Sequence, residues 1–531
     1  MVTDASGPRL RTGRSALLVA IGILCSRLAG LARLRAFAYY FGLQSDAADA
    51  FNAAFRIPNL LQNLFGEGAL SASFIPVYAS LVARGQRREA DRMAGAVGSL
   101  LALVVSGLVL VGVIATPLLI SAIAPGFGGA KRDLTILLVR VLFPGAGLLV
   151  MSAWCLGVLN SHGRFLLSYA SPVVWNAAMI ATLIVFGRRQ PLPRLAVSLA
   201  WGSVAGSALQ FAVQLPAVVR VAPDLRLALE VASEHLRTVV RNFGPAFISR
   251  GVVQVSAYVD TLLASFLPTG ALTGLLNAQL LYTLPVSLFG MSVSAAELPA
   301  MSGSIGAEPS STDALRRRLD AGLRQIAFFV VPSAMAFLAL GDVVAGALLQ
   351  TGRFRREDAV YVWGILAGSA VGLLASTLGR LYASAYYARG DTRTPLRYAS
   401  VRVALTTVLG YVFAIHLPGW LGIPALWGAA GLTASAGLAG WVEMLLLRRS
   451  FNARVGPTGL PADYLLRLWI AAAAGAGAAW VAKWAAPTAQ PIVMAILVLL
   501  PFGVVFVGAS LVLRIPEASR ALGPLTRLRS R

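Results

Sequence analysis

Charge is scarce in this chain, and acidic charge is scarcest: 531 residues hold 22 Asp and Glu against 45 Lys and Arg, while 57% are hydrophobic. A water-soluble domain of this size needs a far more polar surface, so the composition excludes the soluble classes. With them goes the nucleic-acid partner that a net charge of +23 would otherwise suggest. The only cysteines, Cys25 and Cys155, both lie in apolar runs, which excludes a disulfide framework and thiolate metal sites. His162, His235 and His416 stand far apart, without metal-ligand spacing. No Gly-x-x-x-x-Gly-Lys-Ser/Thr loop is present, so neither an ATP-driven step nor a metal or other cofactor is expected. A transferase with its site in the membrane would want a loop rich in catalytic acids, and the short outer loops are poor in carboxylates.

What is abundant is apolar sequence. About fourteen hydrophobic runs, each near the ~20 residues that a spanning helix needs, recur between Pro, Gly and Arg clusters. They begin near 15, 47, 90, 133, 163, 194, 243, 271, 319, 358, 395, 423, 463 and 490. The expected fold is an all-α polytopic membrane protein. The first run is read as a retained span: Leu24 precedes Cys25 where a lipoprotein site wants a small residue, and no small-x-small cleavage site follows. Arginines gather in alternate loops, from Arg9, Arg11 and Arg14 through Arg84 to Arg92, Arg316 to Arg318 and Arg389 to Arg397, while the loops near Gln44, Thr269 and Gly419 have none. That asymmetry places both termini in the cytoplasm, with Lys131, Arg132, Arg188, Arg189, Arg194, Arg353, Arg355 and Arg356 as exceptions.

The two halves echo one another at an offset of about 226 to 229 residues. Pro125-Gly126-Phe127 lies opposite Thr351 to Phe354, Gly163 opposite Gly390, and Tyr169-Ala170-Ser171 opposite Tyr398-Ala399-Ser400. Two six-helix lobes around a central cavity follow, with two helices added. The expected divisions are a tail at 1–14, an N-lobe at 15–221, an amphipathic interfacial helix at 222–242 and a C-lobe at 243–450. The last two helices lie at 451–515 and a basic tail at 516–531. The linker helix rests on Leu and Val spacing with Glu230, Glu234, Arg237 and Arg241.

The exceptions to apolarity carry the functional argument. Arg27 and Arg33 lie in the first run, and Asp49, Asn52, Arg56, Asn59, Asn63 and Glu67 follow on the second. Each ionisable group at the bilayer centre costs roughly 2.5 to 3.5 kcal/mol, so several in one helix pair point to a water-filled cavity that attracts anions. Asn52, Arg56, Asn59 and Asn63 recur at helical spacing and form one face. A structural alternative, hydrogen bonding between packed helices, stays open for that stripe. Arginine suits a phosphate or pyrophosphate because its planar fork of donors matches the oxygens and never loses its charge. Arg35 reads as snorkelling. On the seventh span Arg250 and Asp260 are about 15 Å apart along the helix, so they are not partners. Asp260 is open to a coupling cation, a proton or an arginine of the other lobe. Glu297, Lys483 and Glu443 read as interfacial or structural, the last near Arg448 and Arg449.

Ser26 to Arg33, Tyr40-Phe41-Gly42, Asp49-Ala50-Phe51, Phe55 to Leu61, Phe65 to Ala69 and Phe74-Ile75-Pro76 closely resemble the first two helices of the MurJ (MviN) family. So do Ala124 to Phe127, Asn242 to Pro245, Leu262 to Pro268 and Asp391 to Pro395. These are bacterial lipid II flippases of the multidrug/oligosaccharidyl-lipid/polysaccharide exporter superfamily. The resemblance implies a transporter of the bacterial cytoplasmic membrane that moves the undecaprenyl-pyrophosphate-linked disaccharide-peptide to the outer leaflet by alternating access. It implies pyrophosphate binding by Arg27 and Arg33, with Asp49 and Arg56 at matching polar positions; Asn59 and Glu67 on the polar second helix are further substrate-binding candidates, Glu67 alternatively neutralising the arginines or capping the second half-helix. The last two helices are implied to form a groove for the lipid tail, with membrane lipids and other cell-wall synthesis proteins as partners. Asp260 becomes the cation-coupling candidate, the driving force being Na+, H+ or the membrane potential. The chain departs from the pattern at Gln62, at Ala278-Gln279-Leu280 and at Thr283, where members often carry charge. Arg250 is the candidate replacement for a missing cation. Export of another lipid-linked oligosaccharide, or a scaffold role without transport, stays open beside lipid II.

Overall fold

The computed structural model describes residues 7–226, 228, 234–303, 309–485 and 490–520, with side chains at 7–20, 67–69, 71–72, 245–246, 248–257 and 309–311 outside the description. The described residues form two compact units, Met1–Ser265 and Phe266–Arg531, and no strand runs through either.

Unit 1 begins with α1 (Gly7–Phe41), α2 (Asp46–Phe65) and α3 (Glu67–Ala83). Ser45 starts α2 by accepting the Ala48 N–H, and Asp46 and Asp49 sit in its first turn, where the helix dipole favours carboxylates. Gly66 separates α2 from α3 because a Cβ there would lie 2.2 Å from the Gln62 carbonyl oxygen. The unit continues with α4 (Arg87–Ile114), α5 (Thr116–Ile123), α6 (Gly129–Ser161), α7 (Phe165–Ala170), α8 (Pro172–Phe186), α9 (Leu192–Val221) and α10 (Glu234–Ser265). α6 is the axis, touching α2, α3, α4 and α9. One apolar cluster gathers Phe41, Phe51, Ile57, Leu142 and Met179, and another gathers Phe74, Trp154 and Cys155. Lipid is as apolar as these side chains, so specificity must come from close approach and internal hydrogen bonds. Gly98 leaves room for Trp154, whose indole donates to the Ala94 carbonyl at 3.1 Å. Gln210, Ser152, Gln214 and Ser171 form a buried hydrogen-bonded chain between α9, α6 and the start of α8.

Unit 2 holds α11 (Ala271–Pro285), a π-helical stretch (Val286–Met291), α12 (Ser292–Gly303), α13 (Pro309–Leu349) and α14 (Arg356–Ala388). It continues with α15 (Arg393–Tyr411), α16 (Leu417–Leu421), α17 (Gly428–Val455), α18 (Ala462–Ala485) and α19 (Pro491–Val512). α14 packs against α13 and α17. α13 breaks at Leu340, whose φ of −133° is not helical. A break in the hydrogen-bond ladder releases carbonyls that lipid cannot satisfy. Here two indoles from neighbouring helices answer: Trp363 of α14 donates to the Leu338 carbonyl at 2.9 Å and Trp480 of α18 to that of Ala339 at 3.2 Å.

Eleven helices among the described residues are long and apolar enough to cross a membrane. Together with α1, α2 and α10, which carry the charged clusters, they coincide one for one with the fourteen apolar runs expected. The internal repeat is also visible in element lengths: an offset of 227 residues carries Gly129–Ser161 onto Arg356–Ala388. Each of these helices ends at a turn through a left-handed glycine, Gly163 at φ +71° and Gly390 at φ +72°.

Two expectations differ from the structure. The separate interfacial helix expected at 222–242 is not what 234–241 form: Glu234 begins α10, and Arg237 and Arg241 belong to its first turns, while Glu230 lies outside the described residues. The seventh span, expected to open the C-lobe at 243, packs against α2, α3, α4 and α5 and belongs to unit 1.

Candidate functional site

α2 presents two faces. Ala53, Ala54, Ile57 and Leu61 are buried in the core of unit 1, whereas Asn52, Arg56 and Asn59 are half-buried and Asn63 is exposed. The polar stripe therefore lies on the open side, as its spacing predicts. Asn52 has a partner of its own.

Arg33 reaches from α1 to a stacked aromatic pair. Its guanidinium lies 4.8 Å from the Trp175 ring centroid and 5.6 Å from that of Phe55, and the two rings stack 5.7 Å apart. Trp175 is held by its indole N–H donating to Ser203 Oγ at 3.2 Å, and Gly206 leaves the space beside it. Arg33 Nη1 points at the Met179 sulfur 3.8 Å away, a weak acceptor, and Nε is buried with no hydrogen-bond partner among the described residues. No carboxylate pairs with Arg33 among those residues. Cation–π contact offsets part of the desolvation of a guanidinium, about 2 kcal/mol at best, but it leaves the N–H donors unused.

Arg56 lies one residue past Phe55 and turns to α10. Its Nη1 donates to Thr261 Oγ1 at 2.8 Å, its ring neighbour is Tyr258 at 6.0 Å, and Tyr258 Oη donates to the Arg56 carbonyl at 3.0 Å. Asp260 attracts the same guanidinium electrostatically. Arg56 and Asp260 thus belong to one polar junction within unit 1, whereas an arginine of the other lobe was one of the partners left open for Asp260.

Asp49 stands apart from both. It is 1% exposed and accepts from Lys131 Nζ at 2.8 Å, with Asp46 at 3.3 Å from the same nitrogen. Seven residues, or about 10 Å of helix, separate it from Arg56. Its engagement by Lys131 ties the first turn of α2 to that of α6. Arg27 is exposed and shares none of the contacts of Arg33. Six residues apart on a helix of 3.6 per turn, the two side chains leave α1 in directions about 120° apart. The side chains of Glu67 and Arg250 lie outside the described residues. Phe55, Trp175, Met179 and Thr261 were not singled out in the sequence, because an aromatic or a methionine within an apolar helix carries no signal that separates a cation contact from ordinary packing.

In unit 2, Leu281, Leu288, Phe289, Phe329, Phe502 and Phe506 line an apolar groove of about 510 Å³ between α11, α13 and α19. Glu443 pairs with Arg402 at 3.1 Å, correcting the expected association with Arg448 and Arg449.

Comparison with known proteins gives this geometry its setting. The family described as "Lipid II flippase MurJ" matches residues 37–509. A lipid II flippase MurJ from Burkholderia cenocepacia is 32% identical over 441 residues, 82% of either chain. A probable lipid II flippase MurJ from Rhizobium meliloti is 30% identical over 86% of this chain and 84% of its own. Among solved structures, a lipid II flippase MurJ in an inward closed conformation superposes with a TM-score of 0.75 at 22% identity, covering 96% of this chain and all of that one. An inward-facing multidrug resistance MATE transporter of the MOP superfamily gives 0.62 at 16% identity over 80% of this chain and 95% of its own, which shows the shared fold. With the match running through nearly every helix described above, the chain belongs to the lipid II flippase MurJ family.

Proposed function

We infer that this multi-pass membrane protein is a flippase that carries lipid II, the undecaprenyl-pyrophosphate-linked disaccharide-peptide, from the inner to the outer leaflet of the bacterial cytoplasmic membrane. Relatives named as lipid II flippases over 82% of the chain support the reading. The single observation that carries the site is Arg33, a guanidinium lying against the stacked Trp175 and Phe55 rings with an unpartnered Nε and no carboxylate beside it among the described residues. A pyrophosphate supplies both the charge and the acceptors that this group lacks.

In this reading Arg33 holds the pyrophosphate, and the open polar stripe of Arg56 and Asn59 extends the contact along α2. Arg27 is the second cation that the anion meets from the exposed side of α1. The Arg56–Asp260 junction offers a coupling device: an anion that draws Arg56 away leaves Asp260 to a cation or a proton. The groove of Phe329, Phe502 and Phe506 is suited to the polyprenyl tail, since its lining is nearly all apolar. The loop arginines support cytoplasmic termini.

Complementation of a flippase-depleted bacterium tests the assignment. Wild type rescues growth, and Arg33→Ala and Arg33→Lys, inserted at wild-type levels, do not. Lysine fails because it lacks the planar fork. Absence of rescue by correctly inserted wild type would sink the lipid II assignment, and rescue by Arg33→Ala would sink the site.

A further inference from the structure

At one end of unit 2 the close of α13, the first turn of α14, the last turns of α18 and the start of α19 line a half-open cavity of mixed polarity, about 540 Å³ in volume. Asp342, Gln350, Arg356, Trp480, Lys483 and Trp484 line it. Lys483 Nζ donates to Asp342 Oδ2 at 2.7 Å and lies 5.3 Å from the Trp480 ring centroid. The second oxygen of that carboxylate, Oδ1, is buried and has no hydrogen-bond partner among the described residues. Lys483 and Asp342 neutralise each other, so Arg356 leaves the cavity with one positive charge in excess. Trp480 and Trp484 are 43% and 78% exposed. Exposed indoles at helix ends mark the level of the membrane-water interface, where phosphates of lipid headgroups lie.

A structural ion pair alone accounts for Lys483 and Oδ2. It leaves unexplained a buried acceptor facing no donor, a third charged residue and a cavity of this size. A ligand that answers all three carries an anionic group for Arg356 and, next to it, an N–H or O–H for Asp342 Oδ1.

We propose that the Asp342–Arg356–Lys483 cavity is a binding site for a phosphate group with an adjacent hydrogen-bond donor, as in an ethanolamine or glycerol phospholipid headgroup or the hydrated inorganic ion. Its oxygens bind Arg356 and the free N–H groups of Lys483, and its donor binds Asp342. The site is independent of Arg33, which belongs to unit 1.

The test uses the full-length protein, delipidated in detergent, and follows thermal unfolding against short-chain phosphatidylethanolamine, short-chain phosphatidylcholine and inorganic phosphate. Phosphatidylcholine has the phosphate but no N–H, so the ethanolamine lipid is expected to raise the unfolding midpoint at concentrations at least about ten-fold lower. Arg356→Gln, at an exposed position, is expected to keep the ligand-free midpoint and weaken the response to both lipids. Asp342→Asn, read against its own ligand-free midpoint, is expected to lose the preference for the ethanolamine lipid. Inorganic phosphate that reproduces the shift names the free ion as the source, and a shift confined to the ethanolamine lipid names the headgroup. Equal responses to the two lipids, no response to any of the three, or a full response in both variants overturns the site.

Discussion

Lys131 Nζ lies 2.8 Å from Asp49 Oδ2 and 3.3 Å from Asp46 Oδ1, joining the first turns of α6 and α2 through a nitrogen whose side chain is only 12% exposed. Lys131 is one of the loop cations that ran against the expected charge asymmetry. Removing one member of a buried pair leaves the other charge uncompensated, at about 3–5 kcal/mol. Lys131→Ala is therefore expected to lower the unfolding midpoint strongly, and Lys131→Met with Asp49→Leu to recover most of the loss. A double variant no better than the single would mean that the pair does not carry the contact.

The aromatic pair beside Arg33 gives a second expectation. Trp175→Phe keeps an aromatic face and is expected to retain flipping, while Trp175→Ala removes it and with it up to about 2 kcal/mol of cation–π attraction. Outer-leaflet lipid II, counted by a leaflet-specific label, should fall several-fold in Trp175→Ala at equal protein level. An unchanged count would show that the ring serves packing alone.

Gly372 of α14 faces Gly437 of α17, and a Cβ on Gly372 would stand 2.3 Å from the Gly437 Cα. Both atoms belong to backbone, so nothing flexible can yield. Gly372→Val is expected to destabilise unit 2 by about 3 kcal/mol or more, whereas Gly477→Ala on α18, with open space at its Cβ position, should be near neutral. Detergent unfolding curves of the two variants decide this.

Asp391 accepts from the Thr394 N–H at 2.9 Å, the Thr394 hydroxyl at 2.7 Å and Arg454 at 2.8 Å, which hold its carboxyl down to about 2. A depressed carboxylate contributes stability that is complete above its unfolded value of about 4 and is lost as the pH falls toward the folded value. The carboxylate is half-buried and its Arg454 partner is exposed, so solvent screening keeps the contribution to at most about 1 kcal/mol. Asp391→Asn should lower the midpoint at pH 7 by a correspondingly small amount and flatten the acid limb between pH 4 and 2. A variant curve parallel to wild type through that window would remove Asp391 as its cause.

Much of the architecture was legible because a bilayer imposes length and polarity on each span. The apolar runs, the glycine turns at Gly163 and Gly390 and the polar face of α2 all follow from local spacing. The aromatic pair was not legible, since Phe55 and Trp175 fall on different helices and aromatic side chains suit lipid, core and ligand alike. The Lys131–Asp49 pair joins residues 82 positions apart, beyond what helical periodicity can couple. The seventh span could not be allotted to a unit from sequence either, because its packing on α2 through Tyr258 and Thr261 is a tertiary choice.

The break in α13 has a mechanical consequence. Its two released carbonyls are held by Trp363 and Trp480, and two residues past Leu340 the chain is tied again by Asp342 to Lys483. The bend is thus a property of three helices together. Straightening α13 would return both carbonyls to its own N–H groups and leave the two indole donors without acceptors, so the nine residues past Leu340 are tied to α14 and α18. α18 is in this sense a splint on the end of α13, fixing the angle at which the helix closes.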